Sequence, residues 1–192
     1  MKLALFGFGG HAREVAAQIN SPVVFFTDKE FFDENTYKIS QFDPTEFTLM
    51  IAIGDSNKRK EIVDKLPKET KFFTFIHPTA QIMGKDVEIG VGSFIGANSI
   101  LTTNIKIGQH AVLNRAVHIG HDCVIGDYFS SMPGSIVSGN VSIGDRVYLG
   151  TNSSIREKIN INSDVTIGMN GCVVEDIKET GIYVGVPVKK IK

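Results

Sequence analysis

Residues 87–176 divide into fifteen successive hexads with no insertion: VEIGVG (87–92), SFIGAN (93–98), SILTTN (99–104) and IKIGQH (105–110), through to VTIGMN (165–170) and GCVVED (171–176). The third position is aliphatic in fourteen of the fifteen, from Ile89 through Ile119 and Ile143 to Val173; Ser131 breaks the series. The fourth position is Gly in eight hexads and Asn in two more. A strict six-residue period of this kind predicts a left-handed parallel β-helix. Each hexad is a short strand plus a corner, with positions one and three pointing inward and position two outward. The Gly or Asn at position four is expected to take the positive φ of a tight corner. Three hexads close one triangular coil, so fifteen make five coils. Residues eighteen apart then lie over one another on neighbouring coils.

The whole chain has 192 residues, 42% of them hydrophobic, and a net charge of −1. That supports one or two domains with a full core and implies no general attraction to nucleic acid or to an anionic membrane. No apolar run approaches the length of a membrane span. The two cysteines, Cys123 and Cys172, form no CxxC pair and read as packing residues of a reduced, cytoplasmic protein.

Outward from the hexads, residues 1–75 read as a different domain, followed by the β-helix and its tail over 76–192. KLALFGF, VVFFTD and LMIAIGD read as buried strands. GGHAREVAAQIN reads as a helix with Val15, Ala16 and Ile19 on one face. SNKRKEIVDKLP reads as a second helix, capped by Asp55 or Ser56. The pattern predicts a small, Rossmann-like parallel α/β sheet. Its first turn, Gly7-Phe8-Gly9-Gly10-His11-Ala12, matches G-x-G-x-x-G/A, with Asp28 further on. About 75 residues supply one mononucleotide half, not two, and no domain for hydride transfer remains. One nucleotide is the better expectation: backbone N–H groups around Gly9, Gly10 and His11 face a phosphate, and Asp28 reaches a base or ribose. The competing reading is a glycine turn that merely packs closely.

Candidate chemistry falls in the hexad VHIGHD (117–122). His121 and Asp122 stand at a corner, where the carboxylate can fix the imidazole tautomer and stabilise its cation. Gly139 is eighteen residues on, so it stacks against His121; Asp122 stacks between Asn104 and Asn140. A histidine base beside a bare backbone donor suits acyl transfer. Zinc held by His118 and His121 is a competing use, although His110 falls on another corner and no third ligand is evident.

GFGGH, IAIGDSNKRK, FIHPTA, HDCVIGD and the closing GIYVGVPVKK together resemble the bacterial nucleotide-aminosugar N-acetyltransferases of the sialic-acid O-acetyltransferase type, which include the bacillosamine-pathway acetyltransferases. The resemblance covers the whole chain. It implies that His121 is the catalytic histidine and Asp122 its acidic neighbour. Asn114, Gly139 and Ser130 are then expected beside acetyl-CoA, Ser130 standing where some members carry a second histidine. Lys189 and Lys190 either meet the coenzyme's phosphates or form a solvated end. Gly9, Gly10, His11, Thr27, Asp28 and Gly54 are expected to line a nucleotide-sugar pocket. The implied enzyme is a cytoplasmic homotrimer that needs no metal and binds acetyl-CoA between neighbouring β-helices. It acetylates the 4-amino group of a nucleotide-linked 4-amino-4,6-dideoxy sugar; a hydroxyl of sialic acid or another sugar is the alternative acceptor.

Overall fold

A computed structural model describes residues 1–28 and 35–192. The N-terminal unit is a five-stranded parallel sheet in the order β3-β2-β1-β4-β5. Its strands are β1 (Lys2–Phe6), β2 (Val23–Thr27), β3 (Thr36–Lys38), β4 (Phe47–Ile51) and β5 (Lys71–Phe72), with helices α1 (Gly10–Gln18) and α2 (Ser56–Lys65). Both surfaces of the sheet are covered. Leu5 and Met50 pack with Ala12 and Val15 of α1, while Ala4, Phe6, Phe26, Leu49 and Ile51 form a second core with Ile62, Val63 and Leu66. The stretch KFFTFI (71–76) is shared between domains: Lys71–Phe72 closes this sheet, whereas Phe75–Ile76 is already a rung of the next unit.

That unit is the parallel β-helix. Its three faces hold the strands of successive hexads in turn. The first contains Phe94–Ile95, Val112–Leu113, Ser130–Ser131 and Tyr148–Leu149. The second contains Ile100–Leu101, His118–Ile119 and Ile136–Val137, and the third Ile105–Ile107, Cys123–Ile125 and Ser142–Ile143. Register follows the eighteen-residue period, as in Ile100↔His118 and His118↔Ile136. Before residue 87 it slips by one: Phe75 pairs with Phe94, and Gln81 with Ile100. Two further hexads, 74–79 and 80–85, therefore precede the strict repeat, and a single extra residue, Asp86, puts them out of frame. At the other end, Gly181–Gly185 runs parallel to the last rung of the first face and turns back through Val188–Lys190. Lys189 and Lys190 thus sit in a closing hairpin, where Lys190 Nζ pairs with Glu179 at 2.9 Å.

Positions one and three fill the interior as expected. Val117, Val141, Val147 and Leu149 are fully buried, and so is the exceptional Ser131 beside the bulk of Phe129 two residues earlier. The expectation for position four is corrected. The residues with positive φ stand at position six: twelve non-glycine residues from Asn98 to Asn170, with φ of 51–61°, Asn and Asp being frequent among them. Glycine at position four answers a different constraint. A Cβ on Gly144 would lie 2.5 Å from the backbone nitrogen of Ser163, and one on Gly90 2.4 Å from that of Gln109. The corner backbones of neighbouring coils leave no room for a side chain at these positions.

Position two points outward, but what it meets depends on the face. Val124 on the third face and Ile136 on the second are 54% and 45% exposed. Phe94, Val112 and Ser130 on the first face are 2%, 2% and 0% exposed, because the α/β domain lies on them. Phe94 and Val112 share a core with Leu5, Val15 and Met50. Arg59 of α2 pins this contact. It is 1% exposed and donates to the carbonyls of His110 (3.0 Å), Tyr128 (2.8 Å), Phe129 (3.0 Å), Ile53 (2.7 Å) and Gly54 (3.1 Å) and to Ser130 Oγ (2.9 Å). Burial lowers its pKa to about 10, which leaves it charged at neutral pH.

Candidate active site

His121 and Asp122 stand at the corner between the second and third faces, between the rungs His118–Ile119 and Cys123–Ile125. His121 Nδ1 lies 2.6 Å from Asp122 Oδ2, and Asn104 Nδ2, one coil earlier, donates to Asp122 Oδ1 at 2.6 Å. The two bonds hold the Asp122 carboxyl below the usual carboxylate range, the Asn104 bond contributing most and His121 next. An ionised carboxylate accepts only, so Nδ1 carries the proton and Nε2 presents its lone pair. The imidazole lies against Gly139 on the next coil, where a Cβ would fall 2.6 Å from both Cε1 and Nε2. The stacking expected from the period is present, and no backbone acceptor among the described residues takes the Gly139 N–H.

The nucleotide candidates gather elsewhere. Gly9, Gly10, His11, Thr27, Asp28 and Gly54 line one cavity of about 410 Å³ at the carboxyl ends of β1, β2 and β4. The glycines differ in what they do. Gly7 has φ 113°, and its Cβ would meet the Ala52 carbonyl at 3.1 Å, so it serves the turn; a Cβ on Gly9, Gly10 or Gly54 would meet nothing within 4 Å. Close packing therefore explains Gly7 but not the other three, which border open space. Helix α1 has Gly9 as its N-cap and no side-chain cap, and Gly9, Gly10 and His11 at its start border the cavity with N–H groups that need a partner. His11 stands edge-on to Phe94 at 5.8 Å, and its buried Nε2 has no partner among the described residues. Burial and the Arg59 charge lower the His11 pKa, which keeps it neutral.

The remaining candidates lie apart from His121. Ser130 does not border an open groove. Its hydroxyl is buried in the domain contact, donating to the Gly54 carbonyl at 2.8 Å and lying 3.0 Å from Ser56 Oγ. Asn114 is 7% exposed at the preceding corner, where its Oδ1 accepts the Arg115 N–H at 2.8 Å. His110 is buried at a third corner, stacked on Tyr128 at 5.3 Å and edge-on to Phe72 at 4.6 Å. His110, His118 and His121 are not brought together, and among the described residues no group of three or more His, Cys, Asp or Glu side chains is placed to hold a metal. Among those residues, too, no helix is long and apolar enough to cross a membrane.

Sequence reasoning missed Arg59, although the signal was present. Arg59 shares a helical stripe with Ile62, Val63 and Leu66, so a cation was being carried on the buried side of α2.

Residues 2–66 match the family described as the PglD N-terminal domain. WeeI from Acinetobacter baumannii AYE superposes with a TM-score of 0.89 at 26% identity, over 99% of each chain. The acetyltransferase domain of PglB from Neisseria gonorrhoeae FA1090, in complex with acetyl coenzyme A, gives a TM-score of 0.70 at 25% identity, covering 99% of this chain and 98% of that one. GDP-perosamine N-acetyltransferase of Escherichia coli O157:H7 is 25% identical over 81% of this chain and 78% of its own length. The chain spans less than half the length of several other curated relatives it matches, among them acyltransferases and a serine acetyltransferase.

Proposed function

We propose that the chain, with its PglD N-terminal domain on a left-handed β-helix, is a hexapeptide-repeat acyltransferase that transfers acetyl from acetyl-CoA to the 4-amino group of a nucleotide-linked 4-amino-4,6-dideoxy sugar. The observation that carries the proposal is the line Asn104–Asp122–His121 set against Gly139. The neutral amine attacks the thioester carbonyl and His121 Nε2 takes the proton that nitrogen sheds. Asp122 stabilises the resulting imidazolium. The Gly139 N–H supports the tetrahedral oxyanion. When the carbon–sulfur bond breaks, the same proton passes to the departing thiolate, which leaves the amide and free coenzyme A. No step calls on a metal.

The α/β domain supplies the sugar. Its open glycines and the first turn of α1 receive the diphosphate, His11 Nε2 adds a contact, and Asp28 takes the ribose or base. This domain covers the first face, whereas His121 stands at the opposite corner of the triangle. The two halves of the reaction therefore meet between chains. A closed homotrimer achieves this, each chain's His121 corner facing a neighbour's nucleotide domain, with acetyl-CoA in the groove between them. Lys189 or Lys190 at that groove's end would meet coenzyme phosphates. Free cysteines and substrates of this kind support a reaction in the cytoplasm.

The test is thiol release from acetyl-CoA with UDP-, GDP- and dTDP-4-amino sugars and with free sialic acid, comparing wild type and His121→Ala. Turnover on a nucleotide aminosugar that falls about 10²–10⁴-fold in the mutant is expected. Turnover on sialic acid alone moves the function to O-acetylation. An unimpaired, folded His121→Ala removes the general base.

A further inference from the structure

The nucleotide cavity does not end at its glycines. A second cleft, of about 460 Å³, begins at Gly54 and is lined by Asp55, Asn57, Met132, Arg146, Tyr148 and Thr166, among others. It lies where the first turn of α2 meets the first face of the β-helix. The sheet order gives the two cavities a direction. Strands β2, β1 and β4 are neighbours in that sequence, and Asp28, Gly9–His11 and Gly54–Asp55 follow their respective ends. In an open parallel sheet, ligands lie across such strand ends. A ligand with its ribose at Asp28 and its diphosphate at α1 must carry the group beyond the diphosphate to the end of β4.

We propose that this second cleft is the sugar subsite, and that Asp55 within it selects an aminohexose against an acidic sugar. The inference rests on the nucleotide-sugar reading above and adds where the hexose sits and what chooses it. Charge in the cleft favours a cationic or neutral ring. Arg146 is held by Asp164 through Nε and Nη2, both at 2.7 Å, so its charge is already matched. Arg59 lies behind Gly54 with its donors spent on carbonyls and Ser130. Asp55 uses Oδ1 to cap α2 at the Lys58 N–H, 2.9 Å away. Its second oxygen has no partner among the described residues. Asp55 and Tyr148 both line the cleft, and the Tyr148 hydroxyl is held above its usual range, by burial first and by Asp55 second. Asn57, Tyr148 and Thr166 offer neutral groups for ring hydroxyls, and Met132 offers carbon surface for a 6-deoxy methyl. A carboxylated sugar would set its anion against Asp55.

The experiment is calorimetric titration of the full chain with UDP, GDP and dTDP, and with the 4-amino-4,6-dideoxyhexose each carries, in wild type, Asp55→Asn and Tyr148→Phe. Asn retains the helix cap, so Asp55→Asn removes charge without removing the fold's support. In Asp55→Asn the advantage of the nucleotide sugar over the bare nucleotide falls about tenfold or more, as for a hydrogen bond to a charged partner, while the bare nucleotide binds as before. UDP-glucuronic acid, no better than UDP for wild type, binds better in Asp55→Asn. An advantage unmoved in both variants overturns the sugar assignment while leaving nucleotide binding intact. If no nucleotide binds wild type, the nucleotide-sugar reading itself falls, and this inference with it.

Discussion

His121 occupies the space that any side chain at residue 139 would need: a Cβ there falls 2.6 Å from both Cε1 and Nε2 of the imidazole. Gly139→Ala must therefore push the ring off its line with Asp122. We expect acetyl transfer to fall at least about a hundredfold, the range seen when a positioned base is lost, with little change in melting temperature because the corner is exposed. Near-normal kcat in Gly139→Ala would show that the ring is not held there.

Asn104 acts through Asp122, one coil away, and so is a positioning residue. Asn104→Ala removes the first cause of the low Asp122 pKa. The acid limb of the pH–rate profile should shift, and Asn104→Asp should behave worse than Asn104→Ala by setting two carboxylates together. A profile identical to wild type in both would separate Asn104 from catalysis.

Arg59 is the residue whose loss should matter most for stability. Arg59→Met fills the volume but leaves buried carbonyls of Ile53, His110 and Tyr128 without their donors, while that of Phe129 keeps the Val112 N–H. Each such group costs about 1–3 kcal/mol, so a loss of several kcal/mol is expected, read as a large fall in the denaturation midpoint. Two separate unfolding transitions in place of one would show directly that Arg59 joins the domains.

His110 gives the domain contact a dependence on acidity. Burial and the adjacent Arg59 charge lower its pKa from 6.5 to about 4, and Asp127 partly opposes them. Its Nδ1 has no partner among the described residues. As pH falls below 6.5 the unfolded chain takes up the proton first, so this stability is complete above about 6.5 and is lost between there and about 4. The loss amounts to about 3 kcal/mol. His110→Phe, at a positive-φ corner that Tyr128 shows an aromatic can occupy, should flatten that part of the stability–pH curve.

Much of this was legible in the hexads. The period alone set His121 beside Gly139, and the glycine turn alone pointed to the cavity below α1. What the repeat could not carry was anything that depends on a second body. Alternation distinguishes the inside of the prism from the outside, but not an outside that another domain covers. That is why Ser130, expected beside acetyl-CoA, is instead buried under Arg59. Asp86 hid two hexads because one added residue shifts the frame without disturbing the pairing that follows it. The positive φ was assigned to position four because glycine permits it, whereas steric exclusion by the next coil explains those glycines.

The burial of Phe94, Val112 and Ser130 beneath the α/β domain bears on how such proteins can be recombined. A chimera cut at the junction near residue 75 would graft a foreign α/β domain onto a landing strip shaped for another. Three outward residues spaced eighteen apart, with the arginine that spans them, would have to travel together with the graft. The α/β domain is then transplantable only when that ladder is transplanted too.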